Sequence, residues 1–301
     1  MKKFRFITIL AFLFLFSFLS SGATLPERIV GYRPGSPSLW FPYLRDALVW
    51  NDGLDNTQFS NFGWQGSAVT VYLADLNGDD LDDKVLCQAV GSAPSHQFIW
   101  VETIEGDFAD DTWYNTGTDW AWWNTGFEVI FGDIDGDSID DNCATASGLD
   151  AGFGGANDLM WAGFESRGIV GVSIDQGSLA NFTGWSTFGV YGTDLPFLAD
   201  INGDGAADRV IYNPGTFQLE VDYSLAVGGF GDGIADESLT ITAALSGDFL
   251  SFSDINADGL DDVVLIRENT GGDYFDLFGW YTAPTGLAVS GSADIQSLAG
   301  T

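Results

Sequence analysis

The chain carries 43 acidic and 10 basic residues in 301, a formal net charge of −33 at pH 7. With no basic patch to neutralise phosphates, nucleic acid is excluded as a partner and anionic membrane surfaces are disfavoured. At 46% hydrophobic and 15% aromatic residues, it is equally unlike a disordered acidic tail, because it has enough apolar surface to bury.

Residues 1–23 read as a secretory signal peptide: a basic start at Lys2, Lys3 and Arg5, an apolar run Phe6–Leu19, then small residues ending at Ala23. The run is shorter than the ~20 residues a spanning helix needs, and no later stretch is long and apolar enough to cross a bilayer. Cleavage after Ala23 leaves residues 24–301 as one exported unit, secreted, periplasmic or at the cell surface. It loses three basic residues and no acids, so −33 becomes −36.

The first elements after the signal are two strand-like runs, Arg28–Arg33 and Leu39–Leu44, joined by a Pro/Gly/Ser turn. An acidic nine-residue loop follows, DLNGDDLDD, with side-chain oxygens at positions 1, 3, 5 and 9: Asp75, Asn77, Asp79 and Asp83. The pattern returns as DIDGDSIDD, with Asp133, Asp135, Asp137 and Asp141. It returns again as DINGDGAAD, with Asp200, Asn202, Asp204 and Asp208, and as DINADGLDD, with Asp254, Asn256, Asp258 and Asp262. The four starts lie 58, 67 and 54 residues apart.

Oxygens at alternate positions of a glycine-punctuated turn suit Ca²⁺, which takes ~6–8 oxygen ligands in flexible geometry. One such loop could be an ordinary Asp/Asn/Gly turn; four with the same ligand positions point to metal. An empty loop is costly, since two carboxylates ~5 Å apart repel by roughly 3 kcal/mol at an effective dielectric of ~20.

Each loop runs straight into a strand-like segment: Lys84–Ala89, Asn142–Ser147, Arg209–Asn213 and Val263–Glu268. After a turn comes a second run: Gln97–Thr103, Leu159–Phe164, Phe217–Ser224 and Tyr274–Thr282. These are rich in aromatic and β-branched residues, and no long helical periodicity follows the signal peptide. The N-terminal pair lacks a loop of its own, and the last segment, Val289–Leu298, holds a faint echo of one in SADIQ.

Units of this length with about four strands each predict an all-β fold, a β-propeller of four to five repeats. Five blades are favoured, the first completed by the C-terminal segment; a β-sandwich array is the competing architecture. Cys87 and Cys143 lie in neighbouring repeats, where a disulfide or two buried thiols are both open. The single histidine, His96, reads as a turn residue. The densest aromatic group is Trp113, Tyr114, Trp120, Trp122 and Trp123, interleaved with Asp and Asn. It suits either packing between blades or a platform for sugar rings.

The four loops, each followed at once by a hydrophobic strand, resemble the FG-GAP/VCBS-type repeats of integrin alpha-subunit propellers and of many secreted bacterial proteins. The resemblance covers roughly residues 46–282. It implies Ca²⁺ held by side chains at positions 1, 3, 5 and 9 and by the backbone carbonyl at position 7, here Leu81, Ile139, Ala206 and Leu260. This sequence departs at position 6, where Asp80 and Ser138 replace Gly, and at position 4, where Ala257 does. EF-hand loops are excluded because position 12 is Leu86, Ala144, Ile211 or Leu265 rather than an acid. GGFGDGIAD at Gly228–Asp236 stands alone and reads as an Asp-Gly turn.

These features predict an exported calcium-binding module for binding or adhesion, with a carbohydrate or protein ligand. The alternative is a propeller glycosidase, which needs only two carboxylates at a fixed separation; no acid pair outside the loops marks itself as one.

Overall fold

A computed structural model describes residues 28–33, 39–46, 49–50, 69–78, 83–90, 96–104, 111–115, 128–152, 154–164, 169–170, 173–174, 185–225, 229–256, 258–268, 275–283, 286–287 and 292–297. The expected signal peptide lies outside them.

The described chain is all β, as its composition predicts. Four four-stranded antiparallel meanders follow one another. The first holds β4 (Val69–Ala74), β5 (Asp83–Val90), β6 (His96–Ile104) and β7 (Asp111–Asn115). The second holds β8 (Glu128–Gly132), β9 (Asp141–Ser147), β10 (Asp158–Phe164) and β13 (Ser186–Val190), with the hairpin β11 (Ile169–Val170) and β12 (Ser173–Ile174) inserted before its last strand. The third runs β14 (Leu195–Ala199), β15 (Asp208–Asn213), β16 (Gln218–Asp222) and β17 (Glu237–Thr240). The fourth runs β18 (Phe249–Ser253), β19 (Asp262–Glu268), β20 (Phe275–Trp280) and β21 (Ile295–Ser297). Before them stands a three-stranded sheet, β1 (Arg28–Arg33), β2 (Leu39–Asp46) and β3 (Val49–Trp50).

The strand runs read from sequence are thus recovered closely, and His96 opens β6 opposite Val90 rather than sitting in a turn. Every acidic loop joins the first strand of its meander to the second. The first strands of successive meanders lie beside one another: β4 by β8, β8 by β14, β14 by β18.

Alternation along a strand explains how the sheets stack. On β15, Val210 and Tyr212 face the fourth meander in a core with Leu250, Phe252, Val263, Leu265 and Trp280. Ile211, one step out of phase, joins Cys143, Leu159, Trp161 and Phe188 of the second meander. Covered on both faces, β15 has no polar side along this stretch, and Val210, Ile211 and Tyr212 are all buried. On β19, Val264 and Ile266 point away from the third meander, and they too are closed to water.

One expectation about the chain's end is corrected. The C-terminal segment does not complete the first repeat. Its strand β21 pairs with β20, Leu277 opposite Ser297, and finishes the fourth meander as β7, β13 and β17 finish theirs. The echo in SADIQ was too short to outweigh an open β20 edge, which needs backbone partners; β21 comes to lie near β3. Of the two alternatives left open for the cysteines, Cys143 takes the buried free thiol.

Candidate metal site

In each loop the position-1 carboxylate gathers the backbone of the turn. Asp200 Oδ1 accepts the Gly203 N–H at 2.6 Å, and its Oδ2 accepts the Gly205 N–H at 2.9 Å. Asp133 holds Gly136 and Ser138 in the same way, both at 2.7 Å. Asp254 holds Asp258 at 3.1 Å and Gly259 at 2.8 Å, and Asp75 holds Gly78 at 2.7 Å. Gathering N–H groups on one side chain forces left-handed backbone at positions 4 and 6, hence Gly203 (φ 75°) and Gly205 (φ 88°). Ser138, which stands where the third loop has Gly205, takes φ 67° all the same.

Position 9 is the deepest. Asp83, Asp141, Asp208 and Asp262 are all 0% exposed. Each is the first residue of its meander's second strand and turns Oδ2 back to the N–H of position 2: Leu76, Ile134, Ile201 and Ile255, at 3.0–3.2 Å. Asp208 Oδ1 also accepts the Ser224 N–H, and Asp262 Oδ1 the Thr282 N–H, both at 2.7 Å.

In the second loop, ligand oxygens of Asp133, Asp135 and Asp141, positions 1, 3 and 9, fall within 4.8 Å of one another. The position-5 acid Asp137 stands outside that group, exposed, with Oδ1 accepting the Ile139 N–H at 2.9 Å. Asp204 and Asp258 cap Ala206 and Leu260 in the same manner. Asp79 and Leu81 lie outside the described residues, as do Trp120, Trp122 and Trp123. Trp113 and Tyr114 fall on the backbone of β7.

Burial chiefly drives the acids toward protonation. Asp133 is pushed up to about 6, Asp208 to about 7 and Asp262 to about 8, with Asp200 raised as well. Neighbouring carboxylates add to this, Asp137 at Asp133 and Asp258 with Asp254 at Asp262, while the N–H donors pull the other way. The loops are short of positive charge.

The donor set fits a hard cation. Its ligands are all oxygens, and two of the position-3 amide oxygens, Asn77 Oδ1 and Asn256 Oδ1, are buried with no hydrogen-bond partner. The hydroxyls of Ser224 and Thr282, beside position 9, are likewise buried and unpartnered. Buried polar atoms are rarely left unpaired, and each one here invites an ion or a water.

Sequence reasoning missed positions 8 and 10. At position 8, Asp140 and Asp261 reach the preceding loop: the Asp75 N–H donates to Asp140 Oδ2, and the Asp200 N–H to Asp261 Oδ2, both at 2.7 Å. The doubled acids Asp82-Asp83, Asp140-Asp141 and Asp261-Asp262 were the signal, broken only by Ala207. At position 10, Arg209 is wholly buried between two meanders. It forms hydrogen bonds and an ion pair with Asp222, donates to Ser186 Oγ at 2.7 Å, and lies over the rings of Trp161, Phe188 and Phe230. Phe230 comes from the GGFGDGIAD stretch. There the Ile234 N–H bonds Asp232 Oδ1 at 2.9 Å as in an Asp-Gly turn, Gly231 lies against Asp222, and the Gly233 N–H donates to the Asp222 carboxylate at 3.3 Å.

No protein-family model matches the chain, and no curated protein matches it in sequence. Among solved structures, it is similar to a lectin of Agrocybe aegerita described for its specific recognition of non-reducing terminal N-acetylglucosamine. The likeness covers 96% of this chain and 80% of that one, at 13% identity and a TM-score of 0.42.

Proposed function

We propose that the chain is an exported calcium-binding β-propeller of five blades, acting as a binding or adhesion module for carbohydrate or protein ligands at the cell surface. The observation that carries the calcium reading is the pair of buried, unpartnered position-3 oxygens, Asn77 Oδ1 and Asn256 Oδ1, inside loops whose position-9 acids are closed to water. Positions 1, 3, 5 and 9 and the carbonyl of position 7 would hold the ion. Bound calcium would supply the positive charge that the buried carboxylates lack.

Radial stacking is supported by the side-by-side first strands and by the buried Val264 and Ile266, which need a further layer over the fourth meander. In this reading the three-stranded β1–β3 sheet, whose β3 lies near β21, would be the fifth layer. The charge of the exported chain, −36 after loss of three basic residues, repels polyanions and leaves neutral glycans or basic protein surfaces as ligands.

The test is calcium titration calorimetry on the purified protein, followed by a glycan array probed with and without Ca²⁺. Uptake of several equivalents and calcium-dependent glycan retention are expected, and Trp120→Ala or Trp122→Ala should abolish retention without shifting the melt if the aromatic group is a sugar platform. Absence of calcium uptake overturns the metal reading. New reducing ends released from a bound polysaccharide would make the protein a hydrolase instead.

A further inference from the structure

We propose that the acidic loops take up calcium as two coupled pairs, the first with the second and the third with the fourth, with Asp140 and Asp261 as the positioning residues that carry the coupling. The proposal rests on the calcium reading above. The same geometry recurs at both junctions. The Asp140 N–H donates to the Asp75 carbonyl at 2.8 Å while Asp140 Oδ2 accepts the Asp75 N–H at 2.7 Å. Asp261 grips Asp200 identically, at 2.8 and 2.7 Å. Both acids are buried, 5% and 2% exposed. Between the second and third loops Ala207 stands in that position, and only its N–H to the Asp133 carbonyl remains.

The grip falls on the residue that shapes the loop. Asp200 gathers the Gly203 and Gly205 N–H groups, so fixing its backbone on both sides fixes the path of the turn. The gripping residue is chained directly to a ligand of the next loop: Asp261 precedes Asp262, and Asp140 precedes Asp141. A second contact runs the same way. The side chain of Leu260 sits over Gly203, and that of Ile139 over Gly78, so close that a methyl group at either glycine would meet it at 2.7 or 3.1 Å. An ordered fourth loop therefore holds Asp261 and Leu260 in place and preorganises the third, removing an ordering cost that the third would otherwise carry alone. Linkage makes the effect mutual.

The experiment is a calcium titration of the ¹⁵N-labelled protein, following the amide signals of Gly136, Gly203 and Gly259 so that the second, third and fourth loops each report their own occupancy. Asp258→Ala, which removes a fourth-loop ligand, should weaken binding at Gly203 about tenfold, within the usual range of coupling between sites, and leave Gly136 unmoved across the Ala207 junction. Asp261→Ala removes no third-loop ligand, only the acceptor of the Asp200 N–H, yet should weaken binding at Gly203 to a similar degree, after which Asp258→Ala adds nothing there. Asp261→Asn keeps the acceptor oxygen and should retain the coupling. Asp258→Ala in the wild-type and Asp261→Asn backgrounds decides the matter if Asp261→Ala does not fold. Third-loop binding indifferent to the fourth loop, or equal coupling across Ala207, overturns the pairing while leaving the calcium sites standing. Signals that calcium moves at no loop overturn both.

Discussion

Asp200 and Asp261 hold each other at both ends: the N–H of Asp200 donates to Asp261 Oδ2 at 2.7 Å, and the N–H of Asp261 donates to the Asp200 carbonyl at 2.8 Å. The two residues belong to different meanders, so the acidic loops form a connected belt along the first strands.

Removing calcium should therefore loosen the whole fold. A metal that binds only the folded state adds RT ln(1 + [L]/Kd), ~2.7 kcal/mol per site at a hundredfold excess over Kd. Melting in excess chelator should come many degrees below melting in calcium, with Mg²⁺ restoring it poorly because it demands tighter octahedral geometry. Identical melts in chelator and calcium would contradict this.

The metal-free protein should lose stability as pH rises. Burial lifts Asp133 to about 6, Asp208 to about 7 and Asp262 to about 8, from an ordinary 3.8. The folded state thus holds these protons more tightly than the unfolded chain. Their contribution is complete below the unfolded value and is lost as pH climbs through about 6 to about 8. In chelator the melting temperature should fall across that window, while calcium affinity rises, because the ligands must shed their protons to bind. A flat chelator melt over the same range would be inconsistent with buried acids at these positions.

Glycine at position 4 answers to two constraints, and glycine at position 6 to one. Gly203 has φ 75° and Leu260 Cδ2 standing 2.7 Å from where a Cβ would go, whereas Gly205 has φ 88° and open space. Gly205→Ala should cost the ~1–2 kcal/mol of a left-handed alanine; Gly203→Ala should cost more and should also shift the amide signals of the fourth loop. Equal costs measured by urea denaturation would show that Leu260 yields freely.

Arg209 and Asp222 make a third kind of test, away from the loops. Burial lowers the pKa of Arg209 and raises that of Asp222, against the attraction between them. Asp222→Ala leaves a buried guanidinium without its carboxylate and should cost ~3–5 kcal/mol. The joint replacement Arg209→Met with Asp222→Leu should recover much of the loss, since Trp161, Phe188 and Phe230 already provide an apolar surround. A double variant no more stable than Asp222→Ala would mean that the pair does more than satisfy itself.

The sequence by itself determined the β class, the strand runs and the spacing of the acidic and amide oxygens in the four loops, because these are local. Strand alternation has a period of two residues, and Asp200 reaches Gly203 and Gly205 within its own turn. Relations between loops stayed hidden. That Asp140 and Asp261 dock the preceding loop follows only when two first strands lie side by side, over separations of 65 and 61 residues. The same holds for Arg209, charged in sequence and buried in fact, since its carboxylate and three rings arrive from four other segments. The fate of β21 was likewise a tertiary decision: an isolated segment carries no record of which sheet edge is open, and the unsatisfied backbone of β20 supplied the answer. Position 4 shows where the two levels meet. The first three loops have Gly78, Gly136 and Gly203, each with the next loop alongside; the fourth has Ala257, and residues 263–301 hold no acidic loop of this pattern.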